Sequence, residues 1–207
     1  MTRSEQMIML ILKHEGGYVN HPNDPGGATN KGITLKTFRR FIKPNGTVAD
    51  LKALTTEQAV IVYKRNYWDA VLADLLPIGV DYTVADFAVN SGTARAAKVL
   101  QKVVGVTQDG QIGPATLKAV NARPAKDIIR QVNANRLAFM KSIRGGKLWA
   151  TFGKGWQRRV DAVLARSLQD AGKSATIPAI PNPLLTLWQL ILSLFGHDGK
   201  WPNQKGK

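Results

Sequence analysis

The sequence contains no cysteine, and it has only 3 histidines among its 207 residues. Disulfide bonds, thiolate metal sites and thiol nucleophiles are therefore excluded. His14 and His21 flank a segment that also holds Asp24. A zinc site needs three or four ligands, however, and no third ligand stands at a recognisable spacing. We therefore expect neither a metal nor another cofactor.

Long apolar runs are also missing. The run at residues 7–12 reads MIMLIL, and the run at 184–196 reads LLTLWQLILSLFG. Both are shorter than the roughly 20 residues that a membrane-spanning helix needs. The first run leads into Lys13 without a small-residue cleavage site, so we interpret it as a helix and expect no signal peptide.

Acidic residues are few, with 14 Asp or Glu against 29 Lys or Arg, and the net charge is +15. The excess lies in residues 87–173, which carry 16 basic and 4 acidic residues, whereas residues 1–86 carry 10 and 9. Such a surface attracts a polyanion: nucleic acid, an anionic membrane or a cell wall. Because no helix-turn-helix, zinc-finger or RNP pattern is present, we expect no nucleic-acid partner.

The pattern of apolar residues predicts a mostly α fold, since few segments alternate with period two. A short hairpin is predicted around Thr29–Thr34, and Thr47–Leu54 is interpreted as a connector. A helix capped by Thr55 or Thr56 is predicted to continue to Leu75. Further helices are predicted at about 3–14, 35–42, 82–89, 93–104, 114–121, 124–143 and 148–171.

The most informative segment is 14–34, HEGGYVNHPNDPGGATNKGIT, which combines two carboxylates, the hydroxyl of Thr29 and five glycines. Cleavage of a glycosidic bond needs a proton donor and a second group that activates water or stabilises the transition state. Glu15 is the candidate acid, because the C-terminal end of a helix disfavours an ionised carboxylate. Asp24 would position or deprotonate water, and the Thr29 hydroxyl would hold that water. The alternative is a solvated glutamate beside an ordinary Asn-Asp-Pro-Gly turn.

The same segment resembles the signature of the family 108 glycoside hydrolases, which are N-acetylmuramidases that include phage endolysins. Residues 89–165 are similar to the predicted peptidoglycan-binding region of that family, with VLQKVVGVTQDGQIGPATLKAV at their centre. The resemblance implies cleavage of the β-1,4 bond between N-acetylmuramic acid and N-acetylglucosamine. It implies that Glu15 is the catalytic acid, and that Asp24 and Thr29 have the accessory roles with water.

The resemblance also implies a lysozyme-like helical domain with a small hairpin and loop region at the active site. We expect a catalytic segment at 1–88, and a wall-binding region at 89–172 packed on it as one globular unit. A proline-rich linker at 173–183 and a C-terminal apolar helix with a basic tail at 184–207 complete the prediction. A peptidoglycan groove needs aromatic and amide side chains, and the candidates are Tyr18, Tyr63, Trp68, Asn90 and Trp156. For each aromatic residue, packing in the core is the alternative.

Two other functions remain open from the sequence. A lytic transglycosylase uses one acid and no water, and a non-catalytic cationic protein could kill cells through its surface and tail. We expect a monomer that waits in the host cytoplasm until it is released to the cell wall. For the tail, contact with an anionic membrane, docking on the parent domain and self-association are the competing interpretations.

Overall fold

The computed structural model describes residues 1–20 and 27–174, and residues 1–174 form one compact unit. Asp24, His21 and the predicted apolar helix and tail lie outside the described residues, as does all of the predicted linker except 173–174. The helices are α1 (Arg3–Leu12), α2 (Leu35–Phe41), α3 (Val48–Lys52), α4 (Thr56–Tyr63), α5 (Val80–Ser91), α6 (Thr93–Val104), α7 (Pro114–Asn121), α8 (Ala125–Ser142) and α9 (Lys147–Ser174). The strands are β1 (Thr29–Asn30) and β2 (Ile33–Thr34).

Helix α1 begins with a capping box, in which Thr2 accepts from the backbone of Glu5 and the Glu5 side chain accepts from the backbone of Thr2. The reciprocal bonds satisfy two N–H groups that a helix start leaves free. Met7, Ile8 and Ile11 form the buried face of α1. The helix ends at Leu12, which leaves Glu15 just beyond its C-terminus.

The predicted hairpin is confirmed. Strands β1 and β2 pair antiparallel, with Thr29 opposite Thr34 and Asn30 opposite Ile33. Val19 adds a bridge, because its backbone exchanges two hydrogen bonds of 2.8 Å with Thr29. The chain on both sides of 21–26 is therefore tied together beside the end of α1.

Two predictions between residues 47 and 75 are wrong. Thr47–Leu54 is not merely a connector, because Thr47 and Asp50 form a capping box that starts α3. The helix capped by Thr55 and Gln58 exists, but its α-helical part ends at Tyr63. A π-helical turn, Lys64–Trp68, and two 3-10 turns, Asp69–Val71 and Ala73–Leu75, continue the chain. Leu72 separates the two 3-10 turns with a left-handed backbone, φ +47°.

The core is built around α5, whose residues from Val80 to Ala88 are all buried. Helices α6, α8 and α9 pack against α5, and α8 and α9 pack against each other. The predicted mostly helical fold with a small hairpin is therefore confirmed. In the described part of the chain, no helix has the length and apolar character needed to cross a membrane.

Candidate active site

Glu15 lies at the edge of an open surface cavity of about 350 Å³. Its backbone N–H donates to Leu12 O at 3.2 Å, which continues the last turn of α1. The cavity is lined by Met9, Leu12, Lys13, Glu15, Gly16, Gly17, Lys31 and Thr56. Its size falls in the range of ligand-binding clefts, and it brings one carboxylate to a surface that also carries two lysines.

The turn of the β-hairpin packs directly against Glu15. A methyl group placed on Gly32 would lie 3.0 Å from Glu15 Oε2 and 2.5 Å from the Tyr63 hydroxyl. Gly32 also has φ +72°, a conformation that costs little only for glycine. A side chain at this position would therefore displace either the carboxylate or the tyrosine.

Arg159 of α9 holds Glu15 from the other side. Its Nη1 donates to Glu15 Oε1 at 2.9 Å, while its Nε and Nη2 donate to Asp86 at 3.0–3.1 Å. The side chain of Arg159 is 11% exposed and that of Glu15 is 18% exposed. Because the contact is largely shielded from water, dissolved salt screens it less than an exposed ion pair.

Asp86 is completely buried, and Arg136 lies 2.7 Å from its second oxygen. This second contact is an ion pair rather than a well-aligned hydrogen bond. Burial opposes the charge on Asp86, but the charges of Arg136 and Arg159 outweigh burial and hold the pKa of Asp86 below its usual value. The pKa of Arg159 is raised in spite of burial, because Asp86 and Glu15 both stabilise its positive charge. Polar contacts therefore connect Arg136 in the core, through Asp86 and Arg159, to Glu15.

Burial and the nearby charges also shift the pKa values of a neighbouring histidine and two tyrosines. Burial and the cation of Arg159 lower the pKa of His14, so that its neutral form is favoured. Burial and the charge of Glu15 raise the pKa of Tyr63 and of Tyr67, so both phenols keep their protons. Within residues 1–20 and 27–174, no group of three or more His, Cys, Asp or Glu could hold a metal ion.

Of the two accessory candidates, Thr29 lies in the described part of the chain. Thr29 is partly buried at the start of β1, and its hydroxyl donates to Gly27 O at 3.2 Å. Asp24 lies outside the described residues. Their predicted roles with water therefore stay predictions.

The chain is similar to two family models and to a solved structure. The family model described as Glycosyl hydrolase 108 matches residues 8–92, and the one described as Predicted Peptidoglycan domain matches residues 95–161. The structure of SagA from Brucella abortus is 48% identical, with a TM-score of 0.69, over 81% of this chain and 95% of that one. A search of curated proteins found no match. The chain belongs to glycosyl hydrolase family 108.

This family 108 protein is therefore a glycoside hydrolase that acts on peptidoglycan. Its two matched segments meet at the site, because Glu15 lies in the first and Arg159 in the second. Arg159 was not among the residues predicted from the sequence. The available signal was Asp86, a carboxylate in the apolar run Tyr82–Val89, which indicates a buried cationic partner. The sequence does not say which cation fills that role.

Two of the predicted sugar-contacting residues of this hydrolase are buried. Trp68 is 1% exposed, and its indole N–H donates to Asp74 at 2.7 Å. The structure thus corrects its role: Trp68 is a core residue, and the π-helical turn directs it inward. Tyr63 is 2% exposed, and its hydroxyl donates to Lys31 O at 2.8 Å. Tyr63 therefore supports the hairpin beside Glu15 and does not present a ring face to the substrate.

The other three candidates are partly exposed. Tyr18 lies between α1 and the hairpin, and Lys52 Nζ is 5.6 Å from its ring centre. Asn90 lies in the last turn of α5 and accepts from the Ser91 hydroxyl at 3.0 Å. Trp156 lies on α9, with its ring centre 5.8 Å from that of Phe152 and 6.2 Å from that of Trp149. Trp149 and Phe152 were not predicted, although an aromatic residue every three or four positions on a helix was a usable signal.

Proposed function

We propose that this hydrolase is an N-acetylmuramidase that cleaves the β-1,4 bond between N-acetylmuramic acid and N-acetylglucosamine. The observation that carries the proposal is the position of Glu15. Glu15 lines an open cavity together with Gly16 and Gly17, and its side chain is 18% exposed. Since these glycines have no side chains, a broad polymer could approach the carboxylate closely.

Glu15 would protonate the oxygen of the leaving sugar, which is the step that every such hydrolysis requires. Asp24 would activate or position the attacking water, and the Thr29 hydroxyl would help to hold it. Fixing these groups next to the bond converts a reaction with free water into one within the complex. The cleavage consumes one water and leaves a reducing N-acetylmuramic acid end.

The aromatic residues of α9 would bind the glycan on one side of Glu15. Trp149, Phe152, Trp156 and Arg159 are spaced by three, four and three residues, so they follow one stripe of the helix. Phe152 is 51% exposed. Because Arg159 contacts Glu15, the aromatic stripe leads towards the carboxylate. Lys154 and Arg158 line a neighbouring cavity with Trp149, and their charges would attract the carboxylates of the peptide stems.

Digestion of purified peptidoglycan by the wild type and by Glu15→Gln tests the proposal. We expect the wild type to release fragments with reducing muramic ends and Glu15→Gln to release none, with an unchanged far-UV circular dichroism spectrum. Wall digestion by Glu15→Gln at the wild-type rate would refute the assignment. Anhydro-muramic ends would instead identify a lytic transglycosylase, and binding without any fragments would identify a non-catalytic wall protein.

We further propose that the protein is a monomeric phage endolysin that stays in the host cytoplasm until the membrane is opened. Expression alone should leave cells intact, and permeabilising the inner membrane should then cause lysis. Lysis without permeabilisation would contradict this role. Light scattering should report one chain per particle, and a DNA duplex at moderate salt should not be retained.

For residues 184–207 we propose contact with an anionic membrane. Vesicles that contain phosphatidylglycerol should bind the full chain more tightly than the chain shortened to 1–174. The shortened chain keeps the whole compact unit and should still digest peptidoglycan. Equal vesicle binding by the two proteins would show that residues 184–207 do not mediate membrane contact.

A further inference from the structure

We propose that Arg159 is a positioning residue for Glu15, supplied to the hydrolase site by the segment that matches the peptidoglycan domain. The proposal rests on the proposed function, in which Glu15 is the acid. It assigns to this segment a part in the chemical step in addition to binding the wall.

The hydrogen bonds of Arg159 are divided between two carboxylates. Nε contacts both oxygens of Asp86 at 3.1 Å, and Nη2 contacts Asp86 Oδ2 at 3.0 Å. These bonds fix the plane of the guanidinium and leave Nη1 to reach Glu15 Oε1 at 2.9 Å. A planar, rigid fork suits this task better than a flexible ammonium group.

The support behind Arg159 comes from the centre of the fold. Asp86 lies in α5 and is 0% exposed, and it is paired on its far side with Arg136 of α8, also 0% exposed. The guanidinium of Arg136 additionally lies 5.4 Å from the ring centre of Phe87. Helices α5, α8 and α9 therefore fix the direction from which Arg159 approaches Glu15.

The carboxyl group of Glu15 is limited on two sides. Arg159 holds Oε1, while Gly32 lies beside Oε2, so that a methyl group on Gly32 would come within 3.0 Å of this oxygen. Glu15 also lines the cavity, and its side chain is 18% exposed. We infer that Arg159 selects one orientation of Glu15, so that one oxygen is presented to the glycosidic bond. Misplacing a reacting group by about 1 Å can cost about 100-fold in rate.

The test compares Arg159→Lys and Arg159→Met with Arg166→Met. Arg166 is the matched control, because it lies on the same helix and forms its ion pair with Asp170 away from Glu15. For each protein, the melting temperature, the amount pelleted with peptidoglycan and the rate of fragment release are measured across pH. Arg159→Met should lower the rate about 10- to 100-fold and change the shape of the pH profile, while pelleting stays near the wild-type value.

Arg159→Lys keeps a positive charge beside Asp86, so the variant remains interpretable if Arg159→Met does not fold. A single ammonium cannot reproduce the fork across both carboxylates, so the rate should still fall at least about 10-fold. The control Arg166→Met should digest the wall at the wild-type rate.

Wild-type rates and pH profiles in folded Arg159→Lys would overturn the positioning role. So would a loss of pelleting that accounts for the whole loss of rate, because Arg159 would then act in binding. If Glu15→Gln also retains activity, the failure lies in the proposed function. If only the Arg159 variants retain activity, the acid assignment survives and the positioning role alone is refuted.

Discussion

The Tyr63 hydroxyl donates a 2.8 Å hydrogen bond to the backbone carbonyl of Lys31. This bond ties the end of α4 to the turn of the hairpin, at the place where Gly32 lies against Glu15. The positions of the turn and of the carboxylate are thus linked.

Gly32→Ala should reduce peptidoglycan digestion much more than it reduces stability. The left-handed backbone costs an L-residue about 1 kcal/mol, and the added methyl group must also move Glu15 or Tyr63. Gly27→Ala is the matched control, because Gly27 also has a positive φ, and among the described residues no atom would lie within 4 Å of its added methyl group. Chemical denaturation and digestion rates check both variants. Equal digestion by the two variants would show that the close approach at Gly32 is unimportant.

Asp86→Asn should destabilise the protein by about 3–5 kcal/mol at neutral pH, because it leaves buried arginine charge without a partner. The pKa of Asp86 is lowered in the fold. Its contribution is therefore full above the unfolded value of about 3.9 and is lost as the pH falls through the lower folded value. Denaturation at about pH 7, 5 and 3 should show wild type and variant converging only in acid.

The exposed pair Asp127 and Arg130 provides the control for this experiment. Its atoms lie 3.4 Å apart, with side chains more than half exposed, so Asp127→Asn should change the free energy of unfolding by less than about 1 kcal/mol. A constant difference between wild type and Asp86→Asn over the whole pH range would mean that the charge of Asp86 does not stabilise the fold.

Trp68→Ala should mainly lower stability, whereas Trp156→Ala should mainly weaken binding to peptidoglycan. Trp68 is fully buried, so its removal should cost about 3–5 kcal/mol of stability. Trp156 lies in the partly exposed aromatic stripe, so its removal should mainly weaken pelleting with peptidoglycan. Thermal unfolding and pelleting, measured together, distinguish these outcomes. Unchanged pelleting by Trp156→Ala, with the fold intact, would remove this residue from the glycan surface.

Binding to the wall should weaken as salt rises, because the net charge is concentrated in residues 87–173. The double variant Lys154→Gln with Arg158→Gln should pellet less than wild type at low salt and similarly at high salt. Lys36→Gln with Arg65→Gln removes the same charge from exposed positions of the nearly neutral segment and should pellet like wild type. Equal losses in the two double variants would indicate a non-specific effect of net charge.

Local patterns predicted much of this molecule. Capping boxes, glycine pairs and prolines located most helix ends because they act through neighbouring residues. The π-helical turn at Lys64–Trp68 could not be predicted in this way, since the burial of Trp68 depends on distant packing. The candidate site was only partly predicted for the same reason. Glu15 could be predicted from a local motif, whereas its partner Arg159 lies 144 positions away in the sequence. No local sequence pattern around Glu15 or Arg159 indicates that the two residues are in contact.

That separation has a consequence for synthesis. The ribosome releases Glu15 first, and the guanidinium that meets it is added 144 residues later. A nascent chain can close α1 and the hairpin from local contacts, but it cannot place Arg159 until α9 has emerged. Under the proposed role of Arg159, the order of translation itself delays full hydrolytic activity until nearly all of residues 1–174 have been made.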